Sequence, residues 1–464
     1  MNVWDAIGEV LTGWGGTDCL LELHPGSGVI HASAPQLRRE VSDLALQLSS
    51  WGIRKRHLVP LFLNNSIAFV QAFLALLKIG AVPVLVKMDY RRLELEEVFR
   101  NAEPQAVLAE KHHLPVLQPF LNERMIVVGK SAERLELAQS AEGLPPPEDI
   151  PEEIASINYT YRGYGYPLGA MVSHSQYLQG AKILQEHLQG RRGEKMLVIL
   201  PMAHIFTLIA CILAPLLHGL TGSIALTLHP RLLWGFIRDF RIDYITSVPE
   251  IYEMFCRLRD PSIDLSSLKA FVSGGSRLTG DSYDNIRSAF SIDLLHGYGM
   301  TEFTPVSGNV RGQARNGTVG PIGRGLECRI ASPLSDGVGE IQIKAPWITK
   351  RYYRRPGETK EAFLEGWFRT GDLGRLDGEH LVFVRELKNT RKINGNIVDL
   401  QELSRALRMD PEVAEAEITW EQDALVARIA TRARIDFKEK SQKLKTFLRG
   451  NLAEYKIPKR IIQI

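Results

Sequence analysis

The sequence predicts an α/β protein: a large N-terminal domain of helix-covered mixed sheets, residues 1–384, followed by a small mobile C-terminal α+β domain, residues 385–464. Three observations predict it. As far as Gly299, short continuous apolar runs alternate with segments whose apolar residues recur at helical spacing, the pattern of strands buried under helices. Around Arg311 to Gly325 the chain turns rich in Gly, Arg and Asn, and the strands beyond it alternate polar with apolar, as antiparallel strands do. Past Arg385 a glycine turn and an amphipathic helix open a new unit. A chain of 464 residues, 45% hydrophobic and 23% charged, has the length to bury a large core and more than one domain.

Taken in order, Gln36 to Trp51 carries apolar residues at helical spacing, HLVPLFLNN reads as a buried strand and SIAFVQAFLALLKIG as a second helix. The alternation resumes with KMLVIL, GSIALTL and LLWGFIRDF, DYITSV and PEIYEMFCRL, LKAFVSGG and GDSYDNIRSAF, then IDLLHGYG. Repeated strand, loop and helix imply a mostly parallel sheet, whose functional loops follow the strand C-termini. GEIQIKA and HLVFVRE are the antiparallel strands. In the small domain, strands are expected near Glu415 to Thr419 and Leu425 to Ile429, then a helix from Phe437 to Leu452 and a last short strand. No internal repeat or low-complexity tract is visible.

Several function classes fall away on composition. The formal net charge is only +3 and there is no basic block or aromatic-interleaved basic stripe, so nucleic acid is not an expected partner. Cys19, Cys211, Cys256 and Cys328 are far apart, with neither disulfide rhythm nor metal-ligand spacing, and read as core thiols of a reducing, cytoplasmic compartment. The N-terminus MNVWDAIGEVLTGWGG lacks the basic region of a secretory signal. Ile205 to Leu226 is long and apolar enough to raise a membrane span, but Pro215, His218, Gly219 and Gly222 interrupt it, so a buried helix, turn and strand is expected instead.

The stretch NYTYRGYGYPLGAMVSH, residues 158–174, has Gly163, Gly165 and Gly169 after a short strand. Such a turn brings backbone close to something, and consecutive N–H groups form an anion nest without any lysine. Thr160 and Arg162 add a hydroxyl and a guanidinium. Alone this is a weak signal, since glycine turns without ligands are common.

Its company is more specific: VSGGSRLTG (272–280), LLHGYGMTEFTP (294–305), GTVGPIG (317–323), GEIQI (339–343) and WFRTGDLG (367–374) follow in fixed order. Together the six segments resemble the adenylate-forming superfamily of acyl- and aryl-CoA synthetases, luciferases and peptide-synthetase adenylation domains, over nearly the whole chain. The resemblance implies two half-reactions. A carboxylate attacks the α-phosphorus of ATP to give acyl-AMP, and a thiol, from CoA or a carrier protein's phosphopantetheine, then displaces AMP.

By the same resemblance the ATP/AMP site comprises Thr160, Gly163, Gly165, Gly169, Gly274, Gly275, Tyr298, Gly299, Met300, Thr301 and Asp372. Tyr298 offers a flat face to adenine and Asp372 accepts from the ribose hydroxyls. Thr301 bonds a phosphate oxygen, and Glu302 is the expected Mg²⁺ ligand. Elsewhere a lone tyrosine would be core, a Thr-Glu pair a helix cap and a Gly-Asp a turn. His204, Ser273, Gly274 and Gly297 match the acyl pocket. PMAHIFTL lacks the aspartate that peptide-synthetase domains use for an α-amine, so the substrate is expected to be an apolar fatty, alicyclic or aryl acid. Lys392 matches the lysine that enters the site for thioester formation, with Gly395 at its turn, and Lys388 matches the hinge.

The chain departs from that pattern at both adenylation cations. Leu168 stands where the loop lysine is expected, and the sequence stops at KIPKRIIQI, ahead of the loop that carries the terminal lysine. The small domain also opens with Arg385 and Glu386 in place of Gly-Arg. One lost contact to a transferring phosphoryl group costs about 2.7 to 4 kcal/mol. Two expectations follow. The chain is an AMP-forming acid–thiol ligase, with Thr301, Glu302, Lys392 and Arg162 as its catalytic group and Arg162 and Mg²⁺ supplying the missing charge. Alternatively it is a weakened homologue that binds nucleotide and acyl group as a scaffold, or accepts an acyl group activated elsewhere.

Overall fold

Helix Ile67–Ile79, IAFVQAFLALLKI, is apolar apart from Gln71 and Lys78, so it is stable only where most of its surface is buried. It lies between two large sheets, capped at its start by the Ser66 hydroxyl on the Phe69 amide and closed by Gly80 in the left-handed conformation. Helices Ala34–Ser50 and His174–Leu188 share this central layer. The computed structural model describes residues 1–25, 28–131, 134–140, 145–349, 351–387, 389–432 and 436–464.

One sheet has seven strands in the order Arg134–Gln139, Ile126–Ser131, Ala106–Glu110, Leu58–Phe62, Val82–Leu85, Ile154–Thr160 and Leu168–Ser173. The other has eight, in the order Phe303–Gly308, Asp293–Met300, Ala270–Ser273, Tyr244–Ser247, Lys195–Val198, Thr221–Ala225, Asp18–His24 and Gly28–Ser33. Both are parallel inside and carry an antiparallel strand at each edge. Outer helices such as Arg92–Ala102 and Pro230–Phe240 cover the far faces with separate cores.

A third, antiparallel sheet contains Glu327–Ala331, Gly339–Lys344, Trp367–Asp377, Phe363–Leu364 and His380–Glu386. Its core takes in Leu168 and Ala170 from one large sheet and Tyr298, Phe303 and Val306 from the other. Two antiparallel edges therefore meet on the third sheet, one carrying the glycine loop 161–167 and the other the turn at Met300 to Phe303. The last strand, His380–Glu386, pairs as far as Asp372 opposite Glu386, two residues beyond the expected domain boundary.

The small domain has the expected α+β composition. Hairpin Thr390–Ile393 and Asn396–Asp399 leads into helix Leu400–Leu407, then strands Val413–Glu421 and Ala424–Thr431, helix Phe437–Asn451 and strand Arg460–Gln463. Leu403, Leu407, Leu444 and Leu448 form its core. The apolar stretch from Ile205 folds as short helical turns to His218 followed by buried strand Thr221–Ala225. Among the described residues no helix is long and apolar enough to cross a membrane.

Candidate active site

Strand Asp293–Met300, second from the edge of the eight-stranded sheet, pairs parallel with Ala270–Ser273 and then antiparallel with the edge strand, and this pairing carries Tyr298 to the junction with the third sheet. There the Tyr298 hydroxyl donates to Asp372 Oδ2 at 2.6 Å, so two residues distant in sequence meet as the motifs require. Burial raises the Tyr298 phenol well above its ordinary range and the Asp372 charge adds to this, which keeps the hydroxyl a donor. Beside this pair opens a cleft of about 380 Å³, lined by Gly275, Tyr298, Thr318, Arg375, Phe383 and Lys392 among others. Ligand pockets commonly begin near that size.

Across the Gly297–Tyr298–Gly299 backbone lies a second, apolar cavity of about 60 Å³. His204, Phe206, Gly274, Met300 and Pro305 line it, with Ser273 and Gly297, so the expected acyl-pocket residues are gathered there. Gly274 lets the backbone pass close to the Phe206 ring: a Cβ would stand 3.0 Å from it. His204 Nδ1 accepts from the Phe206 amide at 3.3 Å, and burial, with Lys87 and Lys392 acting the same way, pushes its pKa down to about 3. Burial likewise lowers His187, on the same cavity, and His296, on the polar cleft, to about 4, so the walls of both carry neutral imidazoles.

The glycine loop lies on the other side of Tyr298's sheet edge. Gly163 (φ 85°) and Gly165 (φ 81°) hold left-handed conformations that turn their N–H groups to one side. Both donate to the same oxygen, Asp399 Oδ2, at 2.9 and 3.1 Å. The expected anion nest therefore exists, and a carboxylate of the small domain sits in it. Arg162 turns inward: Nη1 is 3.3 Å from Glu302 Oε1, Nη2 donates to the Arg369 carbonyl at 2.7 Å, and its guanidinium lies 4.8 Å from the Phe368 ring. Burial alone would weaken its charge, but Tyr352 and Glu302 more than offset that and hold it cationic.

Not every expected residue faces the cleft. Thr160 pairs with Leu168 across the hairpin, and both are buried. Gly169 packs against the neighbouring strand, where a Cβ would stand 2.9 Å from Ile157. Thr301 and Glu302 are buried beside the cleft, Glu302 with its carbonyl accepting from Gln176 at 3.0 Å. Lys388 falls outside the described residues. The surroundings of Glu302 suit Mg²⁺ poorly: its Oε1 already accepts from the cationic Arg162 and from the Tyr352 hydroxyl, so a divalent ion there would stand beside a guanidinium.

The small domain is docked on this site. Gly395 (φ 77°), at the tip of its hairpin, donates its N–H to Ser276 Oγ at 3.0 Å and packs on Gly275, which brings Lys392 to the cleft. Lys87 Nζ meets Asn396 Oδ1 at 3.0 Å. Deeper in the interface, Lys456 is wholly buried between Glu94 at 2.5 Å and Glu402 at 2.6 Å, and Tyr161 of the glycine loop donates to Glu402 at 2.7 Å. Sequence reasoning missed Asp399, Tyr352 and this cluster. An Asp ahead of LQEL is a legible helix cap, but its long-range partners leave no local trace.

The AMP-binding enzyme family profile matches residues 27–353. A 4-coumarate-CoA ligase of Narcissus pseudonarcissus is 27% identical over 407 residues, 80% of this chain and 73% of the relative. A long-chain-fatty-acid–CoA ligase of Mycobacterium tuberculosis is 26% identical over 434 residues, 89% of this chain and 86% of the relative. Among solved structures, the amide bond synthetase McbA from Marinactinospora thermotolerans superimposes with a TM-score of 0.84 at 21% identity, covering 100% of this chain and 96% of that one. An o-succinylbenzoate CoA synthetase from Bacillus subtilis gives 0.84 at 19% identity, covering 100% and 95%.

Proposed function

Because the chain belongs to the AMP-binding enzyme family, we propose that it joins a compact apolar carboxylic acid, activated as its acyl adenylate, to the thiol of CoA or of a carrier protein's phosphopantetheine. The observation that carries this reading is the meeting of two cavities, one apolar and one polar, on either side of Gly297 to Gly299, with Lys392 lining the polar one. A mixed anhydride of acid and AMP has that same division.

In this reading the acyl group lies against His204, Phe206 and Pro305, and the adenosine against Tyr298. Asp372 keeps acceptor capacity for ribose hydroxyls beyond its bond to Tyr298. The thiol sulfur bonds to the acyl carbonyl carbon, the carbon–oxygen bond to phosphate breaks, and AMP departs with that electron pair while the thiol proton passes to water. Lys392 stabilises the negative charge that develops on oxygen as this happens. The neutral His204 walls the pocket without placing a charge against an apolar acid. A cavity of about 60 Å³ leaves little room for a long chain.

The test supplies synthetic acyl adenylates with CoA and with a phosphopantetheinylated carrier protein, and measures AMP release. Aryl and short apolar adenylates should react at least about tenfold faster than long-chain ones, a difference of about 1.4 kcal/mol. Absence of AMP release with every adenylate and either thiol would overturn the reading.

A second reading, acceptance of an acyl group activated elsewhere, is favoured by the Asp399 carboxylate in the glycine loop and by Leu168 in place of a cation. ATP–pyrophosphate exchange separates the two. Exchange with any acid supports a full ligase cycle from ATP, whereas thioester formation without exchange supports the acceptor.

A further inference from the structure

We propose that Arg162 and Asp399 together fill the seat that a metal-bound polyphosphate needs, so that the cleft selects an adenosine monophosphate ester, AMP or an acyl adenylate, over MgATP. The inference rests on the nucleotide reading of the cleft and adds which nucleotide it takes.

Two independent contacts carry it. The first is within the large domain. Glu302, the carboxylate that the motif offers to a divalent cation, is 3% exposed and paired with Arg162, whose guanidinium is itself held on three sides by Glu302, the Arg369 carbonyl and the Phe368 face. A divalent cation at Glu302 would have to displace a buried guanidinium or sit beside it as a second cation, and the charge repulsion at such a separation is large away from water. Arg162 has no freedom to retreat without leaving its own charge buried and unpaired.

The second contact closes the anion side. The only N–H groups that the left-handed glycines turn together, those of Gly163 and Gly165, are spent on Asp399 Oδ2. Oδ1 of the same carboxylate caps helix Leu400–Leu407 through the Gln401 and Glu402 amides at 2.9 and 3.3 Å, which fixes the side chain from below. A terminal phosphate in the loop would therefore place its negative charge directly against a fixed carboxylate.

At the loop itself Arg162 is committed to Glu302 and the nest to Asp399, and Leu168 adds no cation. A triphosphate therefore finds neither a free guanidinium nor free N–H groups at those positions. A monophosphate reaching only as far as Lys392 finds a cation. Arg162 and Asp399 are thus specificity-determining residues, the first by occupying the cation position and the second by occupying the anion position.

The test measures AMP and ATP binding to the full chain by calorimetry, with and without magnesium chloride. The expected result is that AMP binds at least about tenfold more tightly than ATP, and that magnesium improves neither affinity by more than about twofold. The Asp399→Asn, Arg162→Gly double variant should gain at least about tenfold for MgATP while AMP stays within about threefold of the native protein. Asn keeps an oxygen for the helix cap, while its N–H groups cannot accept from Gly163 and Gly165, so the nest is vacated. Native protein that binds MgATP as tightly as AMP, or a double variant with an unchanged ATP-to-AMP ratio, overturns this inference alone. Binding of neither nucleotide overturns the nucleotide reading as well. The magnesium titration on the native chain needs no variant.

Discussion

The hydroxyl of Tyr298 ties the strand next to the edge of the eight-stranded sheet to the third sheet through one bond to a buried carboxylate. Tyr298→Phe removes the donor, keeps the ring and leaves Asp372 without that partner, which should cost about 1.5 to 3 kcal/mol of stability in chemical denaturation. An unchanged denaturation midpoint would mean that water replaces the hydroxyl. At Leu168 the sequence and the structure give different advice. Read as a motif position, Leu168 invites restoration of a lysine. The side chain is in fact 0% exposed, in the core with Phe303 and Phe368. Leu168→Lys would put an ammonium without a carboxylate partner into that core, and the expected loss is roughly 2 kcal/mol or more, read as a lowered melting temperature. Residue type was legible along the whole motif series. The direction in which each side chain points was not, because it depends on register across the hairpin, where Thr160 faces Leu168.

At the scale of elements, the hairpin Thr390–Ile393 and Asn396–Asp399 is what delivers chemistry to the cleft, and its tip has no room for a side chain. A Cβ on Gly395 would stand 2.7 Å from Val248 Cγ1, and φ of 77° is a conformation that L-residues adopt at a cost. Gly395→Ala should lift the tip off Gly275 and draw Lys392 back with it. A displacement of about 1 Å at a reacting centre can cost about 100-fold, so AMP release from a supplied acyl adenylate should fall by about that factor while AMP affinity changes little. Equal losses in rate and affinity would show that the hairpin serves binding and not the transfer step. Such elements were the most legible part of the chain. Helix Ile67–Ile79, strand Leu58–Phe62 and helix Phe437–Asn451 all fall where apolar periodicity puts them, because burial on one face or on all faces writes a period into the sequence. The contacts between elements were hidden. Asp399 in the glycine loop and Arg162 on Glu302 join residues more than a hundred positions apart, and nothing local marks them.

For the whole molecule, the docked arrangement rests on a buried cluster in which one lysine faces two glutamates. Desolvation raises Glu94 to about 7, with Glu402 adding and Lys456 opposing. Between its ordinary value of 4.5 and about 7, the docked protein therefore keeps a proton that an exposed Glu94 has released, so this group favours docking at the acid end of that window and loses the advantage as pH rises through it. Buried histidines pull the other way. His57, His174, His187 and His296 are each lowered to about 4 by burial, and the stability they contribute is present above their ordinary value of 6.5 and is lost as pH falls toward 4. The overall pH profile is thus a mixture, and only a comparison isolates the cluster. Glu94→Gln removes one titration and leaves Lys456 paired with Glu402. Denaturation midpoints of the native and Glu94→Gln proteins, measured in parallel from pH 5 to pH 8, should diverge, with the native protein losing ground to the variant as pH rises. Parallel profiles would mean that Lys456 holds both glutamates ionised across the range. Lys456→Met tests the same interface from its other side: it leaves two carboxylates facing each other without a cation, a loss expected to reach about 3 to 5 kcal/mol. Its signature in small-angle scattering should be a larger radius of gyration at pH 8 than at pH 5, since protonation of Glu94 is then the remaining way to relieve the repulsion that separates the domains.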